Sequence, residues 1–161
     1  MTVLLCYDGS EPAQRAIDRA GAVLDGGPAL VVTVWESVGS IVLRRHPRTA
    51  LGRELRDISA DVVGDLDAGT AASAEATAAE GAELAAAAGF EGEALARRAI
   101  ARAGERGEVT VWQALLDVAD ERDVRVLVLG RRGQSGVRSL LMGSVSTGVL
   151  HHTERPVLVV A

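Results

Sequence analysis

Two apolar runs separated by one amphipathic segment, at the start of the chain, constrain the fold most strongly. Residues 3–7 form a continuous apolar run that ends at Asp8-Gly9-Ser10, as expected of a parallel strand buried on both faces. Ser10 is a typical helix N-cap, Pro12 falls in the first turn, and apolar residues then recur at helical spacing. Residues 29–35 repeat the strand signal. This order predicts a βαβ unit with a right-handed crossover, whose ligands bind beyond the carboxyl ends of the strands.

The rest of the chain continues this alternation less evenly. Residues 36–69 mix charges with weak periodicity, and they predict a variable loop that contains one helix around 50–63. Residues 70–88 are almost entirely Ala, Glu, Ser and Thr and predict a surface helix with little bulk to pack. Residues 92–103 also have helical propensity, although a parallel sheet of this size needs a strand there. The remaining predicted elements are a helix at 111–122, a strand at 125–129, a helix at 144–152 and a strand at 156–160.

The composition excludes several mechanisms. All 17 basic residues are arginine, so neither the lysine of a GxxxxGK[ST] phosphate loop nor a Schiff-base lysine is available. The net charge of −5 gives no electrostatic reason to expect binding to nucleic acid or to an anionic membrane. A length of 161 residues predicts one domain, and 48% hydrophobic with 2% aromatic residues predicts an aliphatic core.

The location is predicted from the cysteine content and the apolar runs. The single cysteine, Cys6, cannot form an internal disulfide, and we expect it to be a small buried residue. No apolar stretch approaches the length of a membrane span, and the chain starts on a strand pattern rather than a basic leader. A cytoplasmic protein is therefore expected.

Small residues near the carboxyl terminus form a candidate anion site. Gly130 and Gly133 follow an apolar strand, and after nine residues Gly143 and Ser144 begin a predicted helix. Glycine lets the backbone approach an anion closely, and the first turn of a helix offers unpaired N–H groups at the positive end of its dipole. The alternative is structural: these glycines shape a tight turn, and Asp8-Gly9-Ser10 is a turn and helix cap.

Three segments together resemble one family. The opening strand that ends at Asp8-Gly9-Ser10, the segment GRRGQSGVRSLLMGSVS at 130–146 and the closing HHTERPVLVV at 151–160 resemble the universal stress proteins. The resemblance is to the nucleotide-binding subgroup with the G-2x-G-9x-G-[S/T] motif. It implies a single α/β domain over residues 1–161, with a variable segment at about 36–69. It also implies a doubly wound five-stranded parallel sheet in the order 3-2-1-4-5, like that of the adenine nucleotide alpha hydrolases, with a strand at 93–99 despite its helical propensity.

The resemblance also implies roles for individual residues. Asp8 would accept a hydrogen bond from ribose or adenine, or help to hold a divalent metal ion. The backbone of Val34 would meet the adenine edge, and the turn that starts at Leu129 would line the nucleoside. Gly143 and the three residues after it would hold the phosphate through N–H groups and hydroxyls. The full set of expected cofactor-binding residues is Cys6, Tyr7, Asp8, Val34, Leu129, Gly130, Arg132, Gly133, Gly143, Ser144, Val145 and Ser146.

The resemblance implies a dimeric stress-response module that binds ATP, AMP or another adenine nucleotide, with or without a magnesium ion. The homodimer would form through the strand at 156–160, and an unidentified protein would read the bound state. The alternative for this strand is that a loop or the segment at 36–69 covers it. Two alternatives stay open: a weak magnesium-dependent ATPase, and a nucleotide-free interaction protein. The sequence has no nucleophile and general base at a recognisable spacing. Slow ATP hydrolysis is therefore the strongest enzymatic activity that we expect.

The adjacent His151 and His152 predict capping of a helix end rather than a metal site.

Overall fold

The computed structural model describes residues 1–37, 60–99, 110–131 and 142–161. Within these ranges the chain forms five strands and four helices, which we number in chain order. They are β1 (Val3–Cys6), α1 (Glu11–Val23), β2 (Gly27–Trp35), α2 (Ala60–Ala87), β3 (Phe90–Arg98), α3 (Val111–Glu121), β4 (Val126–Gly130), α4 (Ser144–His152) and β5 (Val157–Val160).

The strands form one parallel sheet in the order β3-β2-β1-β4-β5. Val3 of the central strand lies opposite both Ala29 and Val126, so β1 is paired on both sides. The order reverses between β1 and β4, and such a switch point leaves a crevice at the carboxyl ends of the strands. The predicted fold and strand order are confirmed.

Helices cover both faces of the sheet, which explains the continuous apolar runs. Leu5 of β1 packs with Ile17 of α1 on one face, and the neighbouring Leu4 packs with Leu115 of α3 on the other. All of these side chains are almost completely buried. Burial of each leucine or isoleucine contributes about 1.5–3 kcal/mol, so the two aliphatic layers hold the fold together.

Strand β3 forms where local propensity favours a helix. It pairs with β2 over its whole length, from Gly27 opposite Phe90 to Trp35 opposite Arg98. Leu95 packs against the α3 side of the sheet. The ladder and this burial outweigh the helical preference of Ala, Glu and Arg, because tertiary contacts override a weak local bias.

Helix α2 is longer than the sequence predicted. It starts at Ala60, so residues 64–69, expected to be loop, are helical, and residues 60–63 belong to this helix. The rest of the predicted helix at 50–63 lies outside the described residues. Ala74, Ala78 and Ala85 are buried, so small side chains let the helix pack closely on the sheet. In the described ranges, no helix has the combination of length and apolarity needed to cross a membrane.

The turn after β1 acts as a helix cap. Ser10 Oγ accepts a hydrogen bond from the Ala13 N–H at 3.3 Å, and Asp8 Oδ1 accepts one from the Ser10 N–H at 3.1 Å. The structural interpretation of Asp8-Gly9-Ser10 therefore holds. It does not exclude a ligand, because the same turn lies at the edge of the crevice.

Candidate functional site

A cavity of about 290 Å³ lies at the carboxyl ends of β1, β2 and β4, at the point where the strand order reverses. Its floor includes Val32 and Leu129, which belong to the face of the sheet that α3 and α4 cover. Helices α3 and α4 contribute the walls. Ligands of open α/β sheets bind at this position, so the cavity is the candidate site.

Most of the residues expected to bind a nucleotide meet at this cavity. They are Cys6, Tyr7, Asp8, Val34, Leu129, Gly130, Gly143, Ser144, Val145 and Ser146. The other two, Arg132 and Gly133, lie outside the described residues. The structure thus brings together the two ends of the chain that the sequence analysis connected, although it describes only part of the glycine motif.

Four further lining residues were not expected: Ala13, Val32, Val111 and Leu115. All are apolar, and apolar residues of a helix, such as Ala13, Val111 and Leu115, or of a buried strand, such as Val32, are ordinarily assigned to the core. Topology provides the missing signal, since a helix that leads into a parallel strand starts at the carboxyl edge of the sheet. Val111 is the first residue of α3, so it had to lie at this edge.

The amino terminus of α4 opens onto the cavity. Gly143 is the N-cap residue; its N–H donates to the Arg131 carbonyl at 2.9 Å, and its carbonyl accepts from the Thr147 N–H at 3.0 Å. The N–H groups of residues 144–146 therefore precede the first carbonyl of the helix and have no intrahelical acceptor. Together with the helix dipole, they form a positive end of the cavity.

The two serines of this turn have different environments. Ser146 is buried, and its hydroxyl donates a hydrogen bond to the Gly130 carbonyl at 2.9 Å. A hydroxyl has one proton, so Ser146 joins β4 to α4 and has no proton left to donate to a phosphate. Ser144 is exposed at the cavity. The sequence predicted equal roles for both hydroxyls, whereas in the structure the Ser146 hydroxyl bonds within the fold and Ser144 is exposed.

The backbone of Val34 faces the cavity side of β2. The Trp35 carbonyl accepts from the Ala99 N–H at 2.8 Å, so Trp35 directs its backbone groups toward β3. Successive residues of a strand direct these groups to opposite sides. The N–H and C=O of Val34 therefore point toward β1, whose last ladder residue, Cys6, pairs two residues earlier with Val32.

Asp8 supplies the carboxylate of the site. It is half-buried, lines the cavity and accepts a hydrogen bond from the Ser10 N–H. Across the described ranges, no three His, Cys, Asp or Glu side chains are close enough together to form a metal site. A single carboxylate suits magnesium only when phosphate oxygens and water complete the coordination.

Comparison with known proteins identifies the family. The model of the universal stress protein family matches residues 1–161, the whole chain. The chain belongs to the universal stress protein family. A universal stress protein of Mycobacterium tuberculosis is 29% identical over 99% of this chain and 94% of its own length. A universal stress protein of Thermus aquaticus is also 29% identical, over 99% of this chain and 97% of its own length.

Solved universal stress proteins have the same architecture. A universal stress protein in complex with cAMP is 26% identical, with a TM-score of 0.58, over 100% of this chain and 97% of its own. A universal stress protein from Archaeoglobus fulgidus in complex with dAMP is 20% identical, with a TM-score of 0.56, over 100% of this chain and 98% of its own. The second likeness establishes the fold alone.

In this universal stress protein, Cys6 and Tyr7 have strongly perturbed acidities. Burial, with the nearby charge of Asp8, raises the pKa of the Cys6 thiol, so the thiol stays protonated and unreactive. The Tyr7 ring packs on the α1 and α2 face of the sheet, and its hydroxyl donates to Glu80 Oε1 at 2.7 Å. Both residues therefore contribute neutral surface rather than chemistry.

Tyr7 gives a pH-dependent prediction. Burial, the hydrogen bond to Glu80 and the charges of Glu80 and Asp8 raise its pKa to about 12. The chain has one tyrosine, so tyrosinate absorbance should titrate near that value in the folded protein and near 10 in denaturant. The Glu80→Gln variant should lower the pKa of the folded protein only in part, because it removes the Glu80 charge but keeps the burial of the ring. The folded state holds this proton more tightly, so its stabilising contribution is complete below the unfolded pKa and is lost as the pH rises through 10 to 12. Titration near 10 in the native protein would contradict this environment.

The paired histidines lie at the end of α4, as predicted. His152 Nδ1 hydrogen-bonds to the Gly148 carbonyl at 2.8 Å, in the last turn of the helix. Its ring also stacks on Trp112 of α3, which the sequence did not predict.

Proposed function

We propose that this protein binds an adenine nucleotide in the cavity at the switch point and acts as a dimeric regulatory module. The observation that carries the proposal is one cavity with a polar backbone edge at Val34, a carboxylate at Asp8 and a helix amino terminus at Ser144. We match the Val34 backbone with the base, the Asp8 carboxylate with the ribose and the helix terminus at Ser144 with the phosphate.

The adenine end of the proposed site rests on β2. Val34 directs one donor and one acceptor toward the cavity, and adenine offers a complementary ring nitrogen and amino group on one edge. Val32, Leu115 and Leu129 would form the buried aliphatic floor beneath the base. Hypoxanthine reverses this pattern of donor and acceptor, so AMP should bind more tightly than IMP. Equal affinities for the two would contradict recognition by Val34.

The phosphate end rests on α4. The N–H groups of residues 144–146, which have no intrahelical acceptor, and the hydroxyl of Ser144 are donors suited to phosphate oxygens, and the helix dipole favours an anion there. We propose ATP as the physiological ligand, in keeping with the resemblance of the sequence to the nucleotide-binding subgroup. Asp8 and the phosphates would hold a magnesium ion, which would neutralise phosphate charge.

The comparisons support the ligand class. The solved universal stress proteins in complex with cAMP and with dAMP each hold an adenine ring and one phosphate group. Transfer of that chemistry to this chain is part of our proposal. The location in the cytoplasm, expected from the single cysteine, likewise stays a prediction.

The most direct test of ligand identity is the nucleotide that copurifies with the protein. Acid release followed by mass spectrometry should yield an adenine nucleotide, and calorimetric titration of the stripped protein should show one site per chain. Absence of a copurifying nucleotide, together with no binding of ATP, AMP or cAMP at millimolar concentration, would favour the nucleotide-free interaction protein instead.

The proposed dimer uses strand β5, which ends the described sheet. The Leu127 N–H donates to the Pro156 carbonyl at 3.1 Å, and the Arg131 N–H donates to the Val160 carbonyl at 2.6 Å. Alternation along the strand then directs the backbone groups of Val157 and Val159 away from β4. An apolar strand with outward backbone groups is a template for pairing, and a second copy would form an isologous interface.

Val159→Pro should convert the dimer to monomers. The change removes an outward N–H and leaves the hydrogen bonds between β4 and β5 in place. Val159→Thr keeps the N–H and a branched side chain, so it should stay dimeric. Light scattering coupled to size exclusion gives the masses. A Val159→Pro protein that remains dimeric, or a monomeric parent protein, would contradict the interface.

A further inference from the structure

A contact between α3 and α4 lies outside the cavity. A Cβ built on Gly148 would overlap Cγ and Cδ1 of Trp112 and would lie 2.8 Å from its Nε1. The indole ring therefore rests directly on the backbone of α4, which only glycine at this position permits. His152 stacks on the same ring, with centroids 4.1 Å apart and planes inclined by 16°. We call Trp112, Gly148 and His152 the Trp112 cluster.

The Trp112 cluster is closed by a hydrogen bond. His152 Nδ1 lies 2.8 Å from the Gly148 carbonyl. A carbonyl can only accept, so Nδ1 carries the proton and the ring orientation is fixed. The last turn of α4 therefore contacts the indole ring of Trp112 in two ways: through the backbone at Gly148 and through the imidazole ring of His152.

In the described part of the chain, α4 is held at both ends and by Val149, which is buried in the core. The helix has nine residues, of which Ser146, Gly148 and Val149 are buried. Ser146 ties its amino-terminal end to Gly130, and the Trp112 cluster holds its carboxyl-terminal half. A short helix moves nearly as a rigid rod, so a shift at residue 148 reaches Ser144, about 6 Å along the axis.

We propose that the Trp112 cluster positions the amino terminus of α4 for phosphate binding. Trp112 lies beside Val111 and one turn before Leu115, both of which line the cavity, so the cluster also sets the distance between the α3 wall and the phosphate donors. Hydrogen bonds weaken steeply with misalignment, and a binding site needs its donors within about 0.5 Å of their productive positions. This inference rests on the proposed function; within it, these three are positioning residues.

Gly148→Ala should lower the affinity for AMP about tenfold or more, measured by calorimetry on the full chain. Gly69→Ala is the matched control, since that glycine is also helical and a Cβ there meets nothing within 4 Å. Ile17→Val, in the core on the opposite face, controls for stability: it should lower the melting temperature and leave the affinity unchanged. In a Trp112→Ala background, Gly148→Ala should cause no further loss, because the ring with which the new Cβ would clash is gone.

His152→Ala provides a second variant that is expected to fold, because His152 is exposed. It should weaken AMP binding about threefold or more and should accelerate amide hydrogen exchange in α4 without nucleotide. Unchanged affinity and unchanged exchange in His152→Ala, with normal binding by the parent protein, would overturn the positioning role alone. A parent protein that binds no adenine nucleotide would overturn the proposed function and this inference with it.

Discussion

Ser144→Asp is expected to abolish nucleotide binding while making the fold slightly more stable. Ser144 is the first residue of α4, where a carboxylate interacts favourably with the helix dipole by about 0.3–1 kcal/mol. The same carboxylate would stand where we place the phosphate. Repulsion between the two anions should cost about 3 kcal/mol, which corresponds to a loss of about 100-fold or more in affinity.

The opposite signs of these two effects make the variant informative. Thr147→Asp is the matched control, since Thr147 is exposed on the same helix and is absent from the cavity lining. It should bind nucleotide nearly as the parent protein does. Calorimetric titration and urea unfolding measure the two quantities separately. A Ser144→Asp protein with parental affinity would show that the phosphate does not bind at this helix terminus.

Gly26→Ala is expected to destabilise the fold by about 2–5 kcal/mol. Gly26 has φ +68°, a conformation that costs an alanine about 1–2 kcal/mol. A Cβ there would also overlap the carbonyl oxygen of Gly89, a backbone atom that has little freedom to move. Such overpacking adds about 1–3 kcal/mol. The turn before β2 rests on the turn before β3, so this contact helps to fix the register between the two strands.

Substitutions at two further glycines separate the cost of the backbone conformation from the cost of the overlap with Gly89. Gly27 has φ +93° but open space around it, so Gly27→Ala should cost only the conformational strain, about 1–2 kcal/mol. Gly69 is helical with open space, and Gly69→Ala should stabilise by about 0.5–1 kcal/mol. The three free energies of unfolding come from urea titrations without nucleotide. Equal losses for Gly26→Ala and Gly27→Ala would contradict the close approach to Gly89.

Local patterns predicted much of the fold, because each of those elements carries its own signal. The apolar runs of β1 and β2 and the Ser10 cap all follow from neighbouring residues. Strand β3 followed only from the family resemblance, since its stability comes from the ladder with β2. The early start of α2 was missed because residues 60–69 have weak periodicity and two glycines.

The candidate site was predictable where its residues follow a strand or start a helix next to one. Asp8, Gly130 and Ser144 belong to that group. Val111 was missed because its role depends on the direction of a whole helix. The difference between Ser144 and Ser146 was missed because it depends on which hydroxyl reaches the Gly130 carbonyl. The Trp112 cluster joins residues 36 to 40 positions apart, and such packing leaves no local signal.

The central claim is that an adenine nucleotide binds with its phosphate at the amino terminus of α4 and its base at Val34. A titration of the ¹⁵N-labelled protein with AMP, followed by amide chemical shifts, tests it most directly. We predict saturable shifts that are largest at Ser144, Val145 and Val34, and small at Gly69. Saturable shifts centred elsewhere, or none at millimolar AMP, ATP and cAMP, would contradict the claim.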